Sequence, residues 1–197
     1  MHYPLTLSFK IAALAPQLSV RDAAGQELLY VKQKLLKLKD KINVFADSGQ
    51  TRQLYEINAD RIIDFSPKFT FTDTSGRTIG AVKRHGGKSI WKVSYEIFSA
   101  EDRSIATIQE ENPWIKVADA LITEVPILNL FTGYFLNPKY LISETATQRA
   151  ALRVTKSRSL LESKFAVERL EGAFDEAAES VVLLSIMVMV LHERRRG

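Results

Sequence analysis

The chain contains no cysteine, and only three histidines and two tryptophans occur among its 197 residues. Without cysteine it cannot form disulfides, use a thiolate nucleophile or bind a metal through sulfur. His2, His85 and His192 are far apart and lack metal-ligand spacing, so we expect no metal site. Nucleophile-elbow and Walker-type motifs are also missing, and His85-Gly-Gly-Lys88 is better interpreted as a hairpin turn. The sequence therefore predicts a non-enzymatic protein without a cofactor.

Charge of one sign is not concentrated enough to predict a nucleic-acid binder, because the net charge is only +4. A secretory signal is not expected either, since the first residues lack basic side chains and Lys10 interrupts the apolar start. Hydrophobic residues make up 46% and charged residues 25%, as in an ordinary globular protein. We therefore expect a single cytoplasmic domain over residues 1–197.

The first two-thirds of the chain repeats a short strand, an Asp/Ser/Gly turn and a second strand. The turns lie at 22–25, 47–49, 73–76 and 101–103, about 25 residues apart, so each period holds two strands. An Asp side chain can accept hydrogen bonds from its own turn, while Gly takes the positive-φ position. Strand patterns resume at 140–143, 151–154 and 164–170. Successive hairpins of this kind form a meander, which can close into a barrel.

Residues 113–137 interrupt the repeat. Between Pro113 and Pro126 the apolar residues follow helical spacing, and an uncharged apolar run, 127–136, comes next. We interpret 113–137 as a helical and apolar insertion on the barrel. Its aromatic residues Trp114, Phe131, Tyr134 and Phe135 are candidates for a contact with a membrane or a protein partner. The same residues could instead plug one end of the barrel or form a homo-oligomer interface.

The segment 173–192 is predicted to form a helix buried inside the domain. Among Val181 to Leu191 only Ser185 is not apolar, and a helix that is apolar on all sides must be enclosed by protein or lipid. Eleven residues are too few for a bilayer, which needs about 20. Extending the segment backwards brings in Asp175, Glu176 and Glu179, which are costly in hydrocarbon. Enclosure by protein is therefore favoured over a membrane anchor.

Four stretches carry a resemblance to a known family: Val20 to Gly25, Val31 to Lys41, Phe45 to Gly49, and Phe174 to Val190. In this order they resemble the tubby C-terminal-like superfamily, in particular the LURP-one-related family, with phospholipid scramblases as more distant relatives. The resemblance covers 9–111 and 138–192, whereas 113–137 departs from the family pattern. It implies an α+β, mainly β fold: a closed antiparallel barrel of about twelve strands around the C-terminal helix. The cysteine-rich and calcium-binding features of scramblases are not visible, so scramblase activity is not expected.

The basic residues suggest a function for the barrel exterior. The resemblance implies binding of anionic phospholipid, since tubby itself binds phosphoinositides through basic side chains. Three to five basic residues near an anionic leaflet would give measurable peripheral binding, at about 1 kcal/mol each. A solvated exterior with Lys-protected strand edges remains the alternative interpretation of these residues. The candidate lipid-binding residues are Lys32, Lys34, Lys37, Lys39, Lys41, Lys83 and Arg84.

Two functions follow from these features. The first is a non-enzymatic domain that binds anionic phospholipid, including phosphoinositides, at a membrane surface. The second is a structural or protein-interaction module that uses 113–137 as its contact surface and does not recognise lipid. A catalytic cleft on the barrel exterior is a third alternative, which no motif marks.

Overall fold

Twelve antiparallel strands pair in chain order within the part of the protein described by the structure, a computed structural model. The described residues are 1–10, 17–32, 41–60, 67–85, 94–111, 139–157, 162–172 and 174–193. The strands are β1 (Leu5–Lys10), β2 (Gln17–Arg21), β3 (Glu27–Lys32), β4 (Ile42–Phe45), β5 (Gln53–Ala59), β6 (Lys68–Asp73), β7 (Thr78–His85), β8 (Ser94–Ser99), β9 (Ser104–Glu110), β10 (Lys139–Glu144), β11 (Ala150–Ser157) and β12 (Glu162–Arg169).

The sheet closes because β1 pairs with both β2 and β12. Leu7 lies opposite Val20 on one side and opposite Phe165 on the other, so no strand is left as an edge. Closure removes the exposed backbone groups that invite aggregation at the edges of open sheets. The prediction of a mainly β fold with a closed barrel of about twelve strands is confirmed.

The two ends of the barrel differ in how the chain connects its strands. At the turn end, β2 joins β3 through residues 22–26, and four further short turns join strands at 46–52, 74–77, 100–103 and 145–149. At the loop end, the odd-numbered strands finish and the even-numbered strands begin. The connections there include 33–40 and 112–138, which lie outside the described residues, as does all of the predicted insertion 113–137.

Hydrogen bonds from backbone amides to aspartate side chains shape two of the predicted turns. Asp22 accepts from Ala24 N and Gln26 N at 3.0 Å each, and Asp73 accepts from Ser75 N at 2.9 Å and Arg77 N at 3.0 Å. Gly25 and Gly76 take φ values of 80° and 82°, as predicted.

The expectation that glycine supplies the positive φ is wrong for the second turn, where Gln50 takes φ 57° instead of Gly49. The fourth turn contains no glycine, and Asp102 takes φ 59° there. Gly49 is needed for another reason, because a Cβ there would lie 2.9 Å from Asp47 Oδ1. Asp and Asn tolerate the left-handed region better than most residues, which accounts for Asp102.

The barrel interior follows the two-residue alternation of the strands. In β1, Leu5, Leu7 and Phe9 point inward and are at most 1% exposed, while Thr6 and Lys10 point outward. The same alternation on the other strands builds one apolar cluster that also includes the helix. The core therefore lies between the sheet and the helix, and the polar residues of the strands are left on the exterior.

The helix α1 (Glu176–Glu193) runs from the turn end to the loop end inside the barrel. Asp175 caps its start by accepting a hydrogen bond from Ala178 N at 2.8 Å. Every residue from Val181 to Leu191 is between 0% and 3% exposed, so the helix is enclosed on all sides. Ser185 satisfies its hydroxyl within the helix by donating to Val181 O at 2.8 Å.

The closest approach of α1 to the wall is at β7. A Cβ on Gly80 would lie 2.6 Å from Val181 Cγ1 and 2.6 Å from the Phe98 carbonyl oxygen, so this position has no room for a side chain. Among the helices of the described ranges, none combines the length and apolar character needed to cross a bilayer.

Candidate functional site at the loop end of the barrel

The described members of the predicted basic set all lie toward the loop end. Lys32 ends β3, Lys41 directly precedes β4, and Lys83 and Arg84 are close to the end of β7. The remaining candidates lie outside the described residues: Lys34, Lys37 and Lys39, and the predicted contact residues Trp114, Phe131, Tyr134 and Phe135. The candidate surface is therefore built from the strand ends that the structure describes.

Lys10 and Lys32 form an exposed outer row with Gln17 between them. Lys10 lies opposite Gln17 in the β1–β2 register, and Gln17 lies opposite Lys32 in the β2–β3 register. Neighbouring strands are about 4.8 Å apart, so the backbones that carry the two lysines are about 10 Å apart. Neither lysine forms an ion pair with another described residue. The row therefore presents two positive charges on one outer face of the barrel.

The sequence prediction did not include Lys10. The alternation of apolar residues in 5–9 places Lys10 on the outer face, which was a usable signal. Lys10 lies near Lys32, however, only because β1 pairs with β2 and β2 pairs with β3. No local sequence pattern predicts these two registers.

Lys41 has part of its charge compensated. Its Nζ lies 3.0 Å from Glu56 Oε1, although the Lys41 side chain remains 71% exposed. Asn58 Nδ2 donates to the same carboxylate oxygen at 3.0 Å. The hydrogen bond from Asn58, followed by that from Lys41, lowers the pKa of Glu56 and keeps it ionised. Lys41 therefore contributes less to an anion site than Lys10 or Lys32.

Lys83 and Arg84 are adjacent in sequence, but strand alternation places them on opposite faces. Lys83 lies on the outer face, opposite Lys68 on β6 and Glu96 on β8. Arg84 lies opposite the buried Tyr95 and faces inward. The two residues therefore cannot act together as one patch, although the sequence prediction grouped them.

Acidic partners surround the outer face near Lys83. Lys68 Nζ reaches Asp102 Oδ1 at 2.6 Å and also lies 5.0 Å from the centroid of the Phe98 ring. His85 Nε2 lies 3.0 Å from Glu96 Oε2. Because positive and negative groups alternate here, this part of the wall is electrostatically mixed.

An inner polar rim closes the loop end around the last turn of α1. By strand alternation, Arg84, Glu110 and Lys156 face inward, and Glu110 lies opposite Tyr140 while only 5% exposed. Tyr95 Oη lies 3.4 Å from His192 Nδ1, where the donor depends on the histidine tautomer. The Phe69 ring meets the His192 ring edge-on at 5.0 Å. Sequence reasoning did not single out this rim, because it requires knowing which face of each strand points inward.

This arrangement offers ammonium and guanidinium groups to an anion. Within the described ranges, no cluster of three His, Asp or Glu side chains is placed to hold a metal ion. Arg153 forms an ion pair with Glu111 at 3.2 Å, and its charge is thereby partly neutralised. Lys10 and Lys32 remain exposed cations on the outer face, although Lys10 also lies opposite Glu162 in the β1–β12 register.

A model of the LURP-one-related family matches residues 27–178, which is most of the chain. The chain belongs to the LURP-one-related family. The match begins at β3 and ends in the first turn of α1, so it includes Lys32, Lys41 and β7. This confirms the resemblance to the LURP-one-related family.

Comparison with solved structures finds similar chains, one of them from a plant. A protein from Arabidopsis thaliana, determined by X-ray crystallography, is similar with a TM-score of 0.47 and 13% sequence identity. The alignment covers 95% of this LURP-one-related chain and 91% of the plant protein. A comparison with curated proteins gives no match.

Proposed function

We propose that this LURP-one-related domain binds anionic phospholipid at a membrane surface and catalyses no reaction. The observation that supports the proposal is the exposed pair Lys10 and Lys32, which flank Gln17 on three adjoining strands. Among the described residues, α1 and the inward side chains fill the interior as one apolar core. This favours a binding site on the exterior, where these lysines lie.

The expected strength follows from the number of lysines that contact the membrane. Each lysine near an anionic leaflet contributes about 1 kcal/mol, and the effect is screened over about 8 Å at physiological ionic strength. Two lysines would thus change the dissociation constant by about thirtyfold. Such binding is peripheral, reversible and sensitive to salt.

Co-sedimentation with vesicles tests this proposal. We expect the protein to sediment with phosphatidylcholine vesicles that contain phosphatidylserine or phosphoinositide, and not with phosphatidylcholine alone. Lys10→Gln combined with Lys32→Gln should weaken binding by about thirtyfold. Lys10→Arg combined with Lys32→Arg is the matched control, which keeps both charges and should retain binding. Equal binding to neutral and anionic vesicles, or none to either, would refute the proposal.

A further inference from the structure

The mild net charge of the chain conceals a separation of charge along the barrel axis. We infer that the domain docks end-on, with its loop end against the anionic headgroups and its turn end pointing away from the membrane. This inference rests on the proposed function and adds the orientation of the bound domain. It follows from sorting the charged residues by the barrel end at which they lie.

The turn end is acidic. Its residues are those in the short turns, in the flanking three positions of each strand, and at the start of α1. Twelve of them are acidic: Asp22, Glu27, Asp47, Asp73, Glu101, Asp102, Glu144, Glu168, Glu171, Asp175, Glu176 and Glu179. Six are basic: Arg21, Arg52, Arg77, Arg103, Arg149 and Arg169. Negative charges therefore exceed positive charges by six at this end.

The cations of the turn end are largely engaged by their own neighbours. Arg77 lies 3.0 Å from Asp73, Arg103 lies 3.5 Å from Glu101, and Arg169 lies 2.5 Å from Glu179. Because these arginines are paired, the remaining carboxylates dominate the charge of the turn end. An anionic bilayer would be repelled by this end.

The loop end has the opposite sign among the described residues. Nine of its residues are basic: Lys10, Lys32, Lys41, Lys68, Lys83, Arg84, Lys139, Lys156 and Lys164. Six are acidic: Asp60, Glu96, Glu110, Glu111, Glu162 and Glu193. Positive charges thus exceed negative charges by three, even though Lys68 reaches back to Asp102.

The distance between the ends makes the separation effective. The helix that spans the barrel has 18 residues, which corresponds to about 27 Å at 1.5 Å per residue. Salt screens charges over about 8 Å at physiological ionic strength, so charges near the two ends of the helix are about three screening lengths apart. The two sets meet in the wall, where Lys68 lies 2.6 Å from Asp102, but a membrane at the loop end would be repelled only weakly by the carboxylates of the far turns. A side-on approach would bring both signs to the surface and lose this advantage.

The first experiment compares two triple variants that remove the same charge from opposite ends. Lys10→Gln, Lys32→Gln and Lys139→Gln change exposed loop-end positions, whereas Arg52→Gln, Arg103→Gln and Arg149→Gln change exposed turn-end positions. In co-sedimentation with phosphatidylcholine vesicles containing phosphatidylserine, the loop-end variant should bind at least tenfold more weakly than the parent. The turn-end variant should bind within twofold of the parent. Equal weakening of the two variants would overturn the orientation.

The second experiment measures orientation directly and uses the absence of cysteine. A single cysteine is introduced at Ser157, which ends β11 at the loop end, or at Thr74 in a turn at the opposite end. Each variant is labelled with a fluorophore and mixed with vesicles that carry a headgroup quencher. The Ser157→Cys label should be quenched on binding, and the Thr74→Cys label should not. Equal quenching, or quenching of the Thr74→Cys label alone, would contradict end-on docking.

The outcomes separate the inference from the function on which it rests. If the parent protein fails to bind anionic vesicles, the proposed function is refuted and the orientation with it. If the parent binds but both triple variants behave alike, only the orientation fails. Salt-sensitive oligomers without vesicle binding would show that the basic end meets the acidic end of a second copy, which also overturns the inference.

Discussion

At the scale of single residues, a cluster of three side chains ties the N-terminal segment to the last strand and the helix. Tyr3 Oη donates a hydrogen bond to Glu179 Oε1 at 2.9 Å, and Arg169 donates to the same oxygen at 2.5 Å. The Arg169 guanidinium also lies 4.7 Å from the centroid of the Tyr3 ring. Glu179 is only 8% exposed, so its carboxylate depends on these donors. No local pattern predicts this cluster, because Tyr3 and Glu179 are 176 residues apart.

Tyr3 should make stability sensitive to alkaline pH. Burial, reinforced by the hydrogen bond to Glu179, raises the pKa of Tyr3 above its ordinary value of 10.0. The folded protein therefore keeps this proton at pH values where the unfolded chain releases it. The resulting stabilisation is fully present below pH 10 and is lost as the pH rises through and above that value.

Tyr3→Phe tests this dependence. At pH 7 the variant should be destabilised by about 1 kcal/mol, because Glu179 loses a hydrogen bond donor. Above pH 10 the difference between parent and variant should shrink, since phenylalanine has no proton to release. Urea unfolding at several pH values measures both effects. A constant difference from pH 7 to pH 11 would contradict the assignment.

At the scale of elements, the sequence predicted the helix and the hairpins well, because each has a local chemical cause. The run from Val181 to Leu191 is apolar on every side, so enclosure followed from composition alone. The aspartate turns were recognisable because the hydrogen bonds of Asp22 and Asp73 stay within five residues. Local reasoning failed for Lys83 and Arg84, which were expected to act together. They face opposite sides of the strand, because side chains alternate along it.

Met187→Asp tests the enclosure of α1. Met187 is 0% exposed, so a carboxylate there would be buried within the apolar core at a cost of several kcal/mol. Since domains of this size are stable by about 5–15 kcal/mol, we expect loss of the folded state and not merely loss of membrane attachment. Circular dichroism and size-exclusion chromatography would report the change. Met187→Leu, which roughly conserves volume, should fold with a loss below about 1.5 kcal/mol. A folded, soluble Met187→Asp protein would show that the helix is not enclosed.

At the scale of the whole molecule, the closed sheet and its helix should unfold together. The inward side chains of the strands and those of α1 form a single apolar cluster. Separating the helix from the sheet would therefore expose apolar surface on both. Hydrogen exchange monitored by mass spectrometry or NMR checks this expectation. The amides of Val182 to Val190 should exchange only through global unfolding, with the same free energy as the most protected strands. Faster exchange of the helix at native pH would indicate that it leaves the barrel independently.

The separation of charge is also a property of the whole molecule, and the sequence alone did not predict it. The chain alternates direction at every strand, so residues that are scattered along it gather at two ends. Lys10, Lys32 and Lys139 are distant in sequence yet lie at the same end, because Lys10 and Lys32 end odd-numbered strands and Lys139 begins an even-numbered one. Composition gives only the net charge of the whole chain, which is a mild +4.

The order of elements along the chain has a consequence for biosynthesis. The helix that fills the barrel follows every described strand, and β1 must wait for β12 before the sheet can close. A nascent chain emerging from the ribosome therefore exposes the apolar faces of all twelve described strands before the helix is synthesised. Contacts between residues so far apart in sequence form slowly, and chains with exposed strand edges are prone to aggregate. Chaperone dependence during translation should thus be greatest just before residues 176–193 emerge.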